Sequence, residues 1–273
     1  MTLTEPSRVV ASRDGTPIAV FTTGDGPPLV LVHGASADHT TFRVVGPLLA
    51  ERFTAHAIDR RGRGASGDTA PYAIEREFED VAAVAEDLAR EVGRPIDVFG
   101  HSYGGRCALG AALLTDDIRR VISYEGAPTP PGERYGDSEV LGELHRLADI
   151  GDNDALLATF MTRVVGMPPA DLAAYRADPV WPLRVAAAPT IVRELAAEAG
   201  GAGALEALAS VRQPVLQLLG GESRPEFGVA TRSLDARLAD GHVVVIPGAR
   251  HAAHHTHPDA VVAALTIFLA ESV

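Results

Sequence analysis

The stretch Asp97-Val98-Phe99-Gly100-His101-Ser102-Tyr103-Gly104-Gly105 decides the fold. The apolar run over residues 96–99 predicts a short buried strand, and the alanine-rich residues 106–114 predict a helix. Between them, Ser102 stands in the pattern Gly-x-Ser-x-Gly, in which a serine occupies a strained strand-to-helix turn. Glycine is required on both sides because the incoming strand and the outgoing helix nearly touch. A glycine-rich turn without catalysis has the same pattern, but the flanking strand and helix favour a nucleophilic serine.

Strand and helix patterns alternate in both end segments of the chain. Apolar runs predict strands at residues 8–11, 17–21, 29–32, 53–58, 96–99, 121–124, 214–219 and 242–246. Helical spacing predicts helices at residues 41–49, 78–92, 102–114, 227–238 and 258–269. Asp14-Gly15 is typical of a hairpin turn, so the first two strands should form an antiparallel edge. The alternation predicts an α/β fold with a mostly parallel eight-stranded sheet, which binds ligands at the carboxyl ends of its strands.

The alternation stops between residues 127 and 210. Three prolines within residues 128–131 interrupt the path, and helical patterns follow at residues 138–147, 154–165, 169–175 and 189–199. We expect residues 127–210 to form a helical cap inserted into an α/β core of residues 1–126 and 211–273. A second, unrelated helical domain is the alternative, but the strand pattern resumes after residue 210. Gly200-Gly201-Ala202-Gly203 predicts a flexible hinge at the end of the cap.

Composition limits the classes of partner. The 273 residues are 46% hydrophobic and 22% charged, which is a globular composition. A formal charge of −12 disfavours nucleic acid and anionic membranes as partners. The single cysteine, Cys107, excludes an internal disulfide and falls on the inward side of the predicted elbow helix. No secretory signal or membrane span is readable, so we expect a cytoplasmic protein.

The chain resembles the α/β-hydrolase fold family along nearly its whole length. The matching pieces, in order, are His33-Gly34, Asp59-Arg60-Arg61-Gly62-Arg63-Gly64, Gly100-His101-Ser102-Tyr103-Gly104 and the loop that holds His251. The resemblance implies that Ser102 is the nucleophile. It also implies that the backbone N–H groups of Ala35 and Tyr103 form the oxyanion hole.

The base is expected to be a histidine, because it must take a proton from serine near neutral pH and later return it. Among ten histidines, His251 follows the last strand, and Pro258 starts the final helix seven residues later, as in the family pattern. The family usually has glycine directly before this histidine, whereas here the residue is Arg250.

The other histidines near these motifs are given no catalytic role. His101 lies inside the elbow and is expected to point away from the position of the base. His254, His255 and His257 are interpreted as part of a solvated loop. Their spacing also suits a metal site, but no carboxylate or HExxH arrangement accompanies them, so we expect no metal.

The triad acid has two candidates. The resemblance places it most often at a position that is Ser223 here, which cannot carry a charge, and Glu222 lies one residue earlier. The other family position directly follows the strand after the elbow helix, and Glu125 stands there. A carboxylate at the end of a buried strand is costly unless it has a partner, which favours Glu125. An ion pair of Glu125 with Arg60 or Arg61 is the non-catalytic alternative.

Further residues have both a functional and a structural interpretation. Asp59 is interpreted as a turn residue rather than a catalyst. Two polar residues, Ser36 and His39, fit either the mouth of the site or the loop surface. Four large side chains fit either an apolar acyl pocket or core packing: Tyr103, Met161, Met167 and Trp181.

These observations predict a cofactor-free serine hydrolase that acts on a small-molecule ester, lactone or thioester through an acyl-enzyme on Ser102. Within the same fold, a carbon–carbon bond hydrolase or a lyase is the first alternative. A ligand-binding sensor with low turnover is the second, because a fold does not fix a function. A haloalkane dehalogenase is disfavoured, since its nucleophile is a carboxylate.

Overall fold

The computed structural model describes residues 5–197 and 201–270. Its centre is a sheet of the strands β1 (Arg8–Ala11), β2 (Pro17–Thr23), β3 (Pro28–Val32), β4 (Thr54–Ile58), β5 (Ile96–His101), β6 (Ile118–Tyr124), β7 (Val215–Gly220) and β8 (Gly241–Ile246). The strand order is β1-β2-β4-β3-β5-β6-β7-β8. β2 pairs antiparallel with β1 and β4, and all other neighbours run parallel. The predicted α/β fold with a mostly parallel eight-stranded sheet is confirmed.

Helices cover both faces of this sheet. The α-helices of the described residues are α1 (Val45–Ala50), α2 (Ile74–Val92), α3 (Tyr103–Ala112), α4 (Ser138–Asp149), α5 (Asn153–Thr159), α6 (Pro169–Ala177), α7 (Trp181–Ala187), α8 (Thr190–Ala197), α9 (Leu205–Leu208), α10 (Pro225–Asp235), α11 (Ala253–Thr256) and α12 (Pro258–Ala270). α2, α3 and α10 pack on one face, and α1 and α12 pack on the other. The parallel strands are therefore covered on both sides.

β3 shows why the strands are continuous apolar runs. Successive side chains of a strand point to opposite faces of the sheet. Val30 and Val32 accordingly belong to the core under α2 and α3, whereas Leu29 and Leu31 belong to the core under α1 and α12. All four side chains are buried, so every position of the strand has to be apolar.

The predicted helix over residues 41–49 is wrong as a single element. The structure has a 3-10 turn at His39–Phe42 and then α1. Pro47 lacks the N–H that a continuous helix would donate to the carbonyl of Arg43, so the helix starts again two residues before the proline. Asp38 caps the 3-10 turn by accepting a hydrogen bond from the N–H of Thr40.

Between β6 and β7 the chain forms a helical insertion that contains α4 to α9 and has its own apolar core. The predicted helix over residues 154–165 consists of α5 followed by a π-helix at Phe160–Val165. The predicted helix over residues 189–199 corresponds to α8, and its end lies outside the described residues. Gly200 of the predicted hinge also lies outside them, and Gly201–Gly203 forms a 3-10 turn. The role of the insertion as a cap stays a prediction.

No helix within the described residues is both long and apolar enough to span a lipid bilayer. The cytoplasmic location stays a prediction. Cys107 is fully buried in the core under α2 and α3.

Candidate active site

Ser102 occupies the sharp corner between β5 and α3. Its backbone has φ 54° and ψ −125°, and it is the N-cap residue of α3. The N–H of Ser102 donates to the carbonyl of Tyr124 at 2.8 Å, and its own carbonyl accepts from Gly105 at 2.8 Å. These bonds hold the corner in a backbone conformation that L-residues rarely adopt.

Close backbone contacts explain the glycines around Ser102. A Cβ atom on Gly100 would lie 2.3 Å from the carbonyl oxygen of Gly104. A Cβ atom on Gly104 would lie 2.3 Å from the carbonyl oxygen of Val32. Backbone atoms cannot yield as a flexible side chain does, so both positions must lack a side chain.

Three non-glycine residues among those described have a positive φ: Ser36 at 52°, Ser102 at 54° and Glu125 at 49°. They follow β3, β5 and β6, three adjacent strands of the sheet, at their carboxyl ends. Each such residue stores strain that the surrounding structure must support, and such residues cluster at functional sites. The strain is therefore concentrated at one edge of the sheet.

Glu125 lies against His251. Its Oε2 is 2.5 Å from Nδ1 of His251, and its Oε1 accepts a 2.7 Å hydrogen bond from the N–H of Gly220. The Glu125 side chain is fully buried. Both carboxylate oxygens thus have a partner, which offsets the cost of burial. Since Nδ1 of His251 is bonded to Glu125, Nε2 is the ring nitrogen that remains available to a group in the cavity.

The structure does not bring the other acid candidate to this site. Glu222 is more than half exposed and lies 3.4 Å from the guanidinium of Arg250. The non-catalytic alternative for Glu125 is not formed either. Arg60 pairs with Glu77 and Glu194, and Arg61 pairs with Asp80 and Asp14.

Two rings pack against the imidazole of His251. Phe227 stacks on it with ring centroids 4.5 Å apart, and the ring of His101 lies at 4.8 Å. Nε2 of His101 donates a 2.7 Å hydrogen bond to the carbonyl of His251. His101 therefore supports the loop of His251 through its backbone, and the expectation that His101 points away from the base is wrong.

The interpretation of the histidines after His251 as a solvated loop is wrong for His254. This side chain is 1% exposed and lies on α11 beside His101, with ring centroids 4.2 Å apart. Burial, with neighbouring histidines, holds the pKa of His254 well below its usual value. Within the part of the chain that the structure describes, no three His, Cys, Asp or Glu side chains are grouped to hold a metal ion.

Two cavities meet at Ser102 and His251. The inner cavity, of about 40 Å³, has an apolar wall formed by Ala127, Phe160, Val164, Ile191, Leu195 and Phe227. The outer cleft, of about 590 Å³, is lined by Thr41, Arg43, Met161, Met167, Tyr175, Arg250, His254 and His255, among others. Ala35 lines both cavities, and Tyr103 lines the inner one. The five predicted site residues Ala35, Ser102, Tyr103, Glu125 and His251 thus border one space.

Residues 29–264 match the model of the alpha/beta hydrolase family. This chain belongs to that family. It is 30% identical over 263 residues to a 2-(acetamidomethylene)succinate hydrolase of Mesorhizobium japonicum, covering 90% of this chain and 89% of the relative. It is 26% identical over 238 residues to a pimeloyl-[acyl-carrier protein] methyl ester esterase of Neisseria meningitidis, covering 84% and 88%. A solved alpha/beta hydrolase from Sphaerobacter thermophilus has 32% identity and a TM-score of 0.80, with 96% of this chain and 100% of that one covered.

In this alpha/beta hydrolase the loop after β4 has a structural role. Asp59 accepts hydrogen bonds from the backbone N–H and Nδ1 of His39, both at 2.8 Å, and from the N–H of Ala65 at 2.8 Å. The geometry matches the interpretation of Asp59 as a turn residue. His39 stacks on Phe21 with ring centroids 3.6 Å apart and does not line either cavity, whereas Ser36 lines the outer cleft.

The proposed pocket residues divide between the cavities and the core. Met161 and Met167 line the outer cleft, and Tyr103 lines the inner cavity. Trp181 packs within the helical insertion and donates to Asp154 at 2.7 Å. Trp181 is therefore a core residue of the insertion.

Sequence patterns did not single out Glu194, which lies in the wall of the inner cavity. Its side chain is 1% exposed and accepts from Arg60 at 2.7 Å. A signal was present, because Ile191, Glu194 and Leu195 share one face of α8 at helical spacing. A carboxylate on an otherwise apolar face indicates a buried ion pair.

Proposed function

We propose that this protein is a cofactor-free serine hydrolase that cleaves a carboxylic ester, lactone or thioester through an acyl-enzyme on Ser102. The observation that carries the proposal is the 2.5 Å contact between Glu125 and Nδ1 of His251, at the cavity that Ser102 lines. The family supports hydrolysis, and the names of the esterase and hydrolase relatives support a carbonyl substrate.

In the proposed acylation step, Ser102 Oγ attacks the substrate carbonyl carbon and gives its proton to Nε2 of His251. Glu125 keeps the proton of His251 on Nδ1 before the step and stabilises the imidazolium after it. The N–H groups of Ala35 and Tyr103 donate to the oxyanion. The tetrahedral intermediate then collapses, the bond to the leaving group breaks, and His251 returns the proton to that group.

Deacylation repeats the same chemistry with water as the nucleophile. His251 accepts a proton from the water, which attacks the acyl carbonyl, and the proton then passes to the departing Ser102 oxygen. The stacking of Phe227 and the bond from His101 hold the imidazole for both steps. A fixed general base supplies the near-attack geometry that an enzyme needs.

The helical insertion is proposed to act as a cap that selects the substrate. Its residues Phe160, Ile191 and Leu195 form the apolar wall of the inner cavity. About 40 Å³ suits a short apolar acyl group, whereas the outer cleft of about 590 Å³ has room for a larger leaving group. Arg43, Arg250 and Asp171 line this cleft, so its wall carries charges of both signs.

Pre-steady-state kinetics with 4-nitrophenyl acetate tests the proposal. We expect a burst of one nitrophenolate per protein followed by sustained release, and neither phase in the S102A variant. A stoichiometric burst without turnover would indicate a sensor. Turnover without any acyl-enzyme would contradict the covalent step on Ser102, a step that the carbon–carbon bond hydrolase and lyase alternatives lack. The sensor alternative rests on the missing acid at Ser223, and the contact of Glu125 with His251 supports an enzyme instead.

A further inference from the structure

Arg60 lies buried between the segment His33-Gly34-Ala35 and helix α2. Its side chain is 1% exposed. On one side, Nε and Nη2 donate to the two carboxylate oxygens of Glu77 at 2.9 and 2.7 Å. On the other side, Nη1 donates to the carbonyls of Gly34 and His33 at 3.2 and 3.4 Å. The planar guanidinium thus connects the core helix to the loop after β3.

The carbonyl of Gly34 and the N–H of Ala35 belong to the same peptide group. In a planar trans peptide these two bonds point in opposite directions. Because the Gly34 carbonyl faces Arg60, the N–H of Ala35 must point away from Arg60, and Ala35 lines the cavity at Ser102. Hydrogen bonds to the carbonyl also polarise the peptide, which strengthens the N–H as a donor.

His33 also donates a hydrogen bond to the Gly34 carbonyl, and the backbone of Arg60 fixes the tautomer of its ring. Nδ1 of His33 donates to the Gly34 carbonyl at 2.8 Å, and Nε2 accepts from the backbone N–H of Arg60 at 3.0 Å. The backbone donor fixes the tautomer in which Nδ1 carries the proton. Burial, with Arg60 and Arg63 nearby, holds the pKa of His33 well below its usual value, so the ring stays neutral.

Arg60 also touches the other proposed oxyanion-hole residue. Its guanidinium carbon lies 4.5 Å above the ring centre of Tyr103. The Tyr103 hydroxyl is 2.9 Å from the hydroxyl of Tyr72, which donates to Glu77. One guanidinium therefore contacts both segments whose backbone N–H groups face the reacting carbonyl in the proposed mechanism.

The helical insertion reaches the same guanidinium. Glu194 on α8 accepts from Nη2 of Arg60 at 2.7 Å and lies 2.9 Å from Arg63. Two arginines and two glutamates, Arg60, Arg63, Glu77 and Glu194, form a buried cluster without net charge. Burial would raise the pKa of Glu77, but Arg60 and Arg63 lower it to about 2, so this carboxylate stays ionised.

We propose that Arg60 is a positioning residue that aims the N–H of Ala35 into the oxyanion hole, and that Glu194 couples this position to the helical insertion. The inference rests on the proposed function, because it assigns a role within that mechanism. If the inference is right, the side chain of Arg60 links the position of the helical insertion to the orientation of the Ala35 N–H in the oxyanion hole.

The test compares R60K with R61K. Arg61 is a matched control because it is equally buried and donates to both oxygens of Asp80 on α2 at 2.7 Å, but its remaining donors go to Asp14 and to the carbonyl of Arg76. Lysine keeps the positive charge but lacks the planar guanidinium whose several N–H groups bond two partners at once. We expect R60K to lower kcat by about 10- to 100-fold with little change in KM, which approaches the loss of an oxyanion donor. R61K should keep kcat near the wild-type value, even where both variants lose thermal stability.

A second readout separates positioning from general damage. A boronic acid inhibitor forms a tetrahedral adduct on serine and should bind R60K more weakly in proportion to the loss of kcat/KM. A carboxylate product analogue should bind as it does to the wild type. Equal losses of kcat in R60K and R61K, or unchanged boronate affinity in R60K, would overturn the inference.

Glu194 provides a variant of nearly unchanged shape should R60K not fold. We expect E194Q to lower kcat with KM unchanged, and the control E139Q, in an exposed pair with Arg163 on the insertion, to change neither. A raised KM with constant kcat would contradict coupling and indicate direct substrate contact. If the wild type turns over and both R60K and E194Q are fully active, this inference alone is overturned. If the wild type forms no acyl-enzyme, the proposed function is overturned as well.

Discussion

Glu125 Oε2 lies 2.5 Å from Nδ1 of His251, although 126 positions of sequence separate the two residues. The strands that carry them, β6 and β8, are not neighbours, because β7 runs between them. The carboxylate extends across the end of β7, where the N–H of Gly220 donates to its second oxygen. A Cβ atom on Gly220 would lie 2.7 Å from the carbonyl of Ala249, so this crossing point requires glycine.

The first prediction concerns the acid. We expect E125Q to lower kcat by about 10³- to 10⁴-fold with a small change in KM. An amide NH₂ group that faces Nδ1 favours the tautomer with the proton on Nε2, where the ring can no longer accept a proton from serine. Steady-state kinetics of E125Q and the control E222Q measure this effect. A larger loss in E222Q than in E125Q would reverse the assignment.

The contact between Glu125 and His251 was within reach of sequence reasoning. The family's commoner acid position is Ser223 in this chain, and the cost of burying a lone carboxylate at the end of β6 pointed to a specific partner for Glu125. That partner is His251 in the structure. The free energy of burial therefore distinguished the two candidates where the spacing of the motif did not.

The second prediction concerns acyl-chain length. Ile191 is fully buried in the wall of the inner cavity. We expect I191A to raise the ratio of kcat/KM for hexanoyl over acetyl esters by about tenfold or more, since one methylene in an apolar pocket is worth about 1–3 kcal/mol. I150A, at a 62% exposed position of the insertion, is the control and should keep the wild-type ratio. An unchanged ratio in I191A would place the acyl chain elsewhere.

The third prediction concerns a buried ion pair between the insertion and the core. Arg184 on α7 is 1% exposed and donates to Asp38 and to the hydroxyl of Thr40, both at 2.7 Å. R184M leaves the charge of Asp38 uncompensated and should lower the free energy of unfolding by about 3–5 kcal/mol. Urea denaturation measures the loss. R146M removes the exposed pair with Glu143 and should cost less than about 1 kcal/mol. Similar losses in the two variants would contradict the structural role of Arg184.

The fourth prediction concerns acid stability. Burial, together with Arg43 and Arg184, lowers the pKa of His255 to about 4, against the opposing charge of Asp178. His255 therefore takes up a proton below about pH 6.5 in the unfolded chain, but only near pH 4 in the folded chain. The contribution of His255 to the free energy of unfolding is therefore complete above about pH 6.5 and falls by up to about 1.4 kcal/mol per pH unit toward pH 4.

Urea titrations between pH 5 and 6 measure this dependence. We expect H255Q to take up about one proton fewer on unfolding at pH 5.5 than the wild type. H145Q, at an exposed position of α4, is the control and should retain the wild-type slope. An unchanged slope in H255Q would show that His255 is protonated in the folded protein at this pH.

Other parts of the structure were not predictable from local patterns. α7 was missed because its apolar face is short, although Asp178 caps the turn before it and Pro182 stands in its first turn. The π-helix at Phe160–Val165 continues the helical spacing of α5, so periodicity did not separate the two. The burial of His254 is not predictable, because nothing in the sequence indicates that α11 packs against His101. Each error concerns tertiary packing that overrides a local signal.

The most direct test of the central claim is the intact mass of the protein after reaction with a fluorophosphonate, followed by peptide mapping of the adduct. The account predicts one adduct per chain, located on Ser102, and none on the S102A variant under the same conditions. An adduct on another residue, or labelling of S102A at the wild-type rate, would contradict Ser102 as the nucleophile.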